Sequence, residues 1–139
     1  MKIRILVVGK LKDVGFESQL NGYIRRSQPF LPLEYLALRS MAALRDKADA
    51  QRVVVDERGE QPNSRELAGW IRDWRDRGIR QIDFLVGDAH GFTDTDRQAA
   101  TRVLGLSRLT LPHRIAQLLV VEQLYRAGTI LAGHPYHHG

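Results

Sequence analysis

The chain contains no cysteine among its 139 residues. That excludes disulfides, thiolate metal sites and a cysteine nucleophile, and it suits a reducing compartment. Prolines number only 5 and aromatic residues only 7% of the chain, so nothing reads as collagenous, disordered or low in complexity. No apolar run approaches the ~20 residues of a membrane span, and the apolar stretch in "MKIRILVVGKLKD" is too short for a secretion signal with its cleavage site. The expectation is a cytoplasmic protein with no membrane partner. Several motifs are missing as well. A complete Gly-x-Gly-x-x-Gly, the phosphate-cradling Gly-x-x-x-x-Gly-Lys-Ser/Thr, the Gly-x-Ser-x-Gly elbow and His-Glu-x-x-His do not occur, which disfavours their nucleotide, hydrolase and zinc-protease chemistries.

What is present is enough for one domain over residues 1–139. With 43% hydrophobic and 27% charged residues, the chain can bury a core of ordinary size. The formal charge of +5 favours an anionic partner, nucleic acid first among them. The basic residues are scattered, so charge alone identifies no patch.

Strand and helix patterns alternate. Residues 2–9 form a β-branched apolar run that ends in glycine. Phe16, Leu20, Tyr23 and Ile24 then fall on one helical face, closed by Pro29. Residues 31–40 and 52–59 read as strands around a short alanine-rich helix. In "PNSRELAGWIRDWRDRG", Asn63 or Ser64 caps a helix, Glu66 completes a capping box, and Leu67, Trp70, Ile71 and Trp74 form the buried stripe. Residues 81–91 are a strand that breaks into the loop "GDAHG". A helix capped by Thr93 or Asp94 is expected over "TDTDRQAATRVLG", followed by a short strand or extended loop at 106–111. Pro112 is expected at the first position of a last helix. This alternation predicts an α/β fold with a mostly parallel sheet and helices on both faces. Ligands of such sheets sit at the loops leaving the strands' carboxyl ends, here residues 55–59, 87–91 and 106–111.

Two features of the C-terminal region stand out. The last helix is apolar on nearly every side, with Ile115, Ala116, Leu118, Leu119, Val120, Val121, Leu124 and Tyr125. It therefore calls for cover on several faces, and a second subunit is the simplest source. Glu122 and Arg126, four apart, read as a structural or interface ion pair. The chain then closes on "GHPYHHG". His134, His137 and His138 lack spacing that would converge them on a metal, so no metal is expected, and the interrupting proline and tyrosine argue against a purification tag.

Three blocks in order, "MKIRILVVGKLKD", "LVGDAHG" and "LSRLTLPHRIAQLLVVEQLYRAGTILAGHPYHH", resemble the ribosomal RNA large subunit methyltransferase H family of the SPOUT class, over essentially the whole chain. The resemblance implies a C-terminal trefoil knot and a homodimer formed through the C-terminal helix. It also implies S-adenosylmethionine as cofactor, and methylation of N3 of a pseudouridine in helix 69 of 23S rRNA on the assembled ribosome. Carried over by position, cofactor contacts fall on Val55, Gly87, Leu106, Ser107, Arg108, Leu109, Thr110 and Leu111. Tyr136–His137 matches the family's ending. Because N3–H must lose its proton, a general base is expected there, His137 first with Tyr136 or His138 as the other choices, and RNA contacts are expected on Lys10, Lys12, Arg114, Arg126 and His138. The chain departs from the family pattern in three places. Asp88 stands where a second glycine is usual, His138–Gly139 follows Tyr-His in place of a lysine or arginine, and the segment 40–50 is short. The first two motivate an alternative, a catalytically impaired RNA-binding protein of the ribosome with the same fold.

Overall fold

A computed structural model describes residues 1–9 and 12–139. The elements in chain order are β1 (Lys2–Val8), α1 (Val14–Ser27), β2 (Leu33–Leu38), α2 (Met41–Lys47), β3 (Arg52–Glu60), α3 (Ser64–Asp76), β4 (Gln81–Val86), α4 (Asp94–Ala99), β5 (Arg102–Leu104) and α5 (His113–Leu131). Five strands form one sheet in the order β2-β1-β4-β3-β5, and every neighbouring pair is parallel. The expected α/β class with helices on both faces is what the chain adopts.

The two faces follow from the period-two alternation of strand side chains. Ile3, Ile5, Val7, Val53, Ile82, Phe84 and Val86 point to one side, where Leu20 of α1, Ile71 and Trp74 of α3, and Val120, Val121 and Leu124 of α5 cover them. Leu6, Val54 and Leu85 point to the other side, where Leu44 of α2 and Phe92 meet them. β1 and β4 are therefore apolar on both faces, as central parallel strands must be. One pair breaks the rule. Arg4 and Asp83 face each other across β1 and β4, with Nε–Oδ1 at 2.8 Å and Nη2–Oδ2 at 2.6 Å. The Asp49 N–H donates to the same carboxylate at 2.8 Å, so the buried pair is also hydrogen-bonded at its edge.

Local signals set most element boundaries. Asp13 caps α1 through the Phe16 N–H, and Asn63 and Glu66 form the reciprocal capping box of α3. Thr93 and Asp96 do the same for α4.

Three expectations are corrected, and one pair of alternatives is resolved. The helix after Thr93 ends at Ala99, and Arg102–Leu104, expected within it, is strand β5. A tertiary edge decides this, because β5 pairs with β3 at Val53–Arg102, Val54–Val103 and Val55–Leu104. Of the two readings of residues 106–111, short strand or extended loop, the loop is the one the chain adopts. Pro112 is the N-cap of α5, with extended backbone, and not its first helical residue. Finally, the cover for α5 comes largely from its own chain. It lies between α1 and α3 above the sheet, and Gln117, Val120, Val121, Leu124, Tyr125, Ala127, Gly128 and Thr129 are buried there. Gly128 permits the close approach to α1's exit, since a Cβ on it would sit 2.9 Å from Leu31 Cβ. The apolar surface of α5 that stays open is at its start, where Ile115 is 40% exposed.

Candidate functional site

The loops leaving β3 and β4 and the segment between β5 and α5 meet at the carboxyl edge of the sheet. They enclose a cavity of about 480 Å³ lined by Val55, Asp56, Glu57 and Arg58, by residues 86–92, by Leu106, Ser107, Leu109, Thr110 and Leu111, and by Arg97, His113 and Ala116. This is the position at which open parallel sheets bind ligands, and the volume is in the range of small-molecule sites.

Each wall has a local cause. Gly87 follows β4 because a Cβ there would come within 3.2 Å of the Phe92 ring and 3.3 Å of Met41. Packing of Phe92 and of Met41 from α2, and not an unusual backbone angle, leaves little room for a side chain there. The left-handed residue of the loop is Gly91, at φ +70°. Among the described residues no non-glycine has positive φ, so Asp88 is unstrained. Its Oδ1 accepts the His90 N–H at 3.0 Å, and its carbonyl accepts the Gly91 N–H at 3.0 Å. The carboxylate therefore adds a side-chain bond to a turn that the backbone already closes.

Arg97 fastens two walls together. Its Nη1 donates to Asp56 Oδ2 at 3.0 Å and to the Phe92 carbonyl at 2.9 Å, while Nη2 bonds Asp94. The carboxylates hold Arg97 above the usual guanidinium range, Asp94 most strongly. Arg45 of α2 makes a bidentate pair with Asp96, both contacts at 2.9 Å. That pair and the Thr93 hydrogen bonds hold the Asp96 carboxyl down at about 2. The third wall turns where Ser107 Oγ accepts the Leu109 N–H at 2.9 Å. Leu109 itself is 74% exposed at the rim.

The C-terminal tail is built separately. α5 ends on Gly133 at φ +72°. The His134 N–H reaches the Thr129 carbonyl at 2.9 Å and the Gly133 N–H reaches Ile130 at 3.1 Å. These are the two bonds of a Schellman turn, and they send the chain back along its own helix. Tyr136 then lies on Tyr125, ring centroids 4.6 Å apart, and the Arg126 guanidinium sits 4.8 Å from the Tyr136 ring centre. Arg126 Nε pairs with Glu122 Oε1 at 2.7 Å, and its Nη1 meets His137 Nδ1 at 3.0 Å. Burial, first of several causes, raises the Tyr136 hydroxyl above its usual range.

The structure brings Val55, Gly87, Leu106, Ser107, Leu109, Thr110 and Leu111 together on one cavity. Arg108 is exposed and does not line it. Tyr136 and His137 are gathered at Arg126 instead, ten residues along α5 from Ala116, or about 15 Å. Lys12 and His138 are exposed, Arg114 pairs with Asp13 at 3.2 Å, and Lys10 lies outside the described residues. The histidines do not converge. His134 sits edge-on to Phe30 at 5.2 Å, and among the described residues no group of three or more His, Cys, Asp or Glu could hold a metal ion. No helix among them is long and apolar enough to cross a membrane. Sequence reasoning missed Arg97, Phe92 and His113 in the cavity. Only the Thr93 capping signal hinted that a helix would carry an arginine there.

Comparison with known proteins gives a consistent picture. A family model described as "Predicted SPOUT methyltransferase" matches residues 1–137. A protein of Thiobacillus denitrificans named ribosomal RNA large subunit methyltransferase H is 48% identical, the match covering 99% of each chain. Its namesake in Koribacter versatilis is 37% identical over 100% of this chain and 99% of its own. Among solved structures, a probable methylase family protein of Haemophilus influenzae aligns with a TM-score of 0.59 at 14% identity, covering 99% of this chain and 70% of that one.

Proposed function

The chain belongs to the SPOUT methyltransferase family, and from that premise we propose that it methylates N3 of a pseudouridine in helix 69 of 23S rRNA, using S-adenosylmethionine. The proposed setting is the assembled ribosome in the cytoplasm, and the proposed unit is one domain over residues 1–139 whose C-terminal part forms a trefoil knot. The observation that carries this reading is the convergence of three strand-exit segments on one cavity. Full-length similarity to proteins named as large-subunit rRNA methyltransferases supports it.

The residues present fit the cofactor. Val55, Leu106 and Ala116 offer apolar walls for an adenine ring, and the turns at Gly87 and Ser107 present backbone polar groups. Glu57 and Asp88 supply negative charge for its cationic centres, while Asp56 is held by Arg97. When bound, S-adenosylmethionine supplies a methyl group already activated on a sulfonium. What remains for the protein is to align the acceptor and help N3–H lose its proton.

Tyr136 and His137 are the groups we assign to the acceptor base, and Lys12, Arg114 and His138 to the RNA backbone. Because the tail lies about 15 Å along α5 from the cavity of its own chain, the reading includes a homodimer in which one chain's tail meets the partner's cavity. The open apolar start of α5 at Ile115 and the exposed Leu109 supply apolar surface for that contact.

The test is transfer of labelled methyl from S-adenosylmethionine to ribosomes that lack the modification, with the product nucleoside identified by mass spectrometry. Label in N3-methylpseudouridine of helix 69 is expected, and its absence with cofactor-saturated protein overturns the reading. Deleting residues 135–139 should abolish transfer while cofactor binding by calorimetry persists.

A further inference from the structure

We propose that Arg126 holds His137 as the neutral tautomer protonated on Nε2, so that His137 acts as a hydrogen-bond donor to the acceptor base and not as the general base. This rests on the reading above that the tail faces that base.

The argument is one of donor inventory. A guanidinium has only donors and no acceptor lone pair. The 3.0 Å contact between Arg126 Nη1 and His137 Nδ1 is therefore a hydrogen bond only if Nδ1 accepts. A neutral ring that accepts at Nδ1 carries its single proton at Nε2. Glu122 fixes the fork that imposes this, with Oε1 on Nε at 2.7 Å and Oε2 on Nη2 at 3.5 Å. Tyr136, seated on Tyr125, closes over the guanidinium. The geometry is thus held by α5 and by the Schellman turn that returns the tail, not by the histidine itself.

The charged neighbours act in the same direction. Desolvation first, then Arg126 of α5, Arg65 of α3 and His138 of the tail all disfavour the imidazolium, and Glu122 alone favours it. A proton taken up at Nδ1 would break the bond to Arg126, and Nε2 is already protonated. The ring has no free basic site. It does have one N–H to give.

That N–H suits the acceptor. When N3–H releases its proton to solvent water, the negative charge spreads onto the two carbonyl oxygens flanking N3. A positioned donor to one of them stabilises the anion that must form. Arg126 is then a positioning residue acting through His137, and the Glu122–Arg126 pair gains a task beyond helix stability.

Two measurements test this. Long-range proton–nitrogen correlation spectra of the intact protein, without cofactor or ribosome, should show His137 at neutral pH as the Nε2–H tautomer. The resonance is assigned by its loss in His137→Gln, and Arg126→Met should let the ring populate both tautomers. An Nδ1–H or imidazolium signal in the parent protein overturns the proposal whatever the substrate is. In single-turnover methyl transfer, His137→Gln keeps a donor near Nε2 but no basicity. It should retain activity within about tenfold, while His137→Ala loses about 10²–10³, as for other lost oxyanion donors. The rate should climb with pH through the range around ~6.5 in parallel for the parent and His137→Gln. If Gln is as inactive as Ala, or if a plateau in the parent profile vanishes in His137→Gln, His137 is the base. Full activity of His137→Ala sinks the tail reading instead and leaves the tautomer result standing.

Discussion

Arg97 of α4 and Asp56 of the loop after β3 form an ion pair at 3.0 Å, and the same Arg97 nitrogen holds the Phe92 carbonyl of the loop after β4 at 2.9 Å. One side chain from a six-residue helix therefore sets the spacing of two cavity walls. Preorganised walls bind more tightly because less ordering remains to be done on association. Arg97→Ala is expected to weaken S-adenosylmethionine binding by about tenfold or more, with a smaller effect on the urea midpoint. Unchanged affinity by calorimetry would show that the walls hold their spacing without it.

Gly59 faces the backbone of the neighbouring strand. A Cβ there would lie 2.6 Å from both the carbonyl carbon and oxygen of Val103, and 2.7 Å from the Gly105 nitrogen. Backbone cannot swing aside as a flexible side chain can, so Gly59→Ala must disturb the junction of β3, β5 and the segment leading to Leu106. A loss of about 1–3 kcal/mol is expected from overpacking, measured by chemical denaturation. Cofactor affinity should fall with it, because Leu106 is displaced. A variant as stable as the parent would contradict the close approach.

The Arg4–Asp83 pair is fully enclosed on the carboxylate side, with Asp83 0% exposed. Removing one partner strands a buried charge. Asp83→Ala should cost about 3–5 kcal/mol, while the paired change Arg4→Met with Asp83→Leu should recover much of that loss. Equal stability of the single and double variants in denaturation would argue that the pair is not desolvated.

Asp96 links pH to the stability of the α2–α4 contact. Arg45 above all, with Thr93, lowers its carboxyl from 3.8 to about 2 in the folded chain. A depressed folded value means the unfolded state binds the proton more readily, so stability falls as pH falls. The contribution is complete above about pH 4 and is lost as pH approaches 2. Urea midpoints at pH 7, 4 and 2 should drop less steeply for Asp96→Asn than for the parent. Parallel curves would count against the pair. Because the side chains are partly exposed, the effect should also shrink in high salt.

The sequence by itself determined the parts of this protein that rest on local chemistry. The short β-branched and apolar runs specified β1, β3 and β4, and the capping residues at Asn63 and Thr93 specified where two of the helices begin. The glycines of the 87–91 loop marked a ligand-facing turn, and the ordered motifs were enough to indicate the family. Tertiary structure decided what depends on neighbours distant in sequence. Arg102–Leu104 has no strong pattern of its own and becomes a strand because β3 offers it a parallel edge. α5, apolar on nearly all sides, finds most of its cover between α1 and α3, an arrangement no periodicity reveals. The tail shows the division most clearly. The residue types of the tail are plain in the sequence, but the return of His137 to Arg126, and with it the position of one proton, depends on a fork held by Glu122 and roofed by Tyr136. A residue's type limits which bonds it can make, and only its folded neighbours select among them.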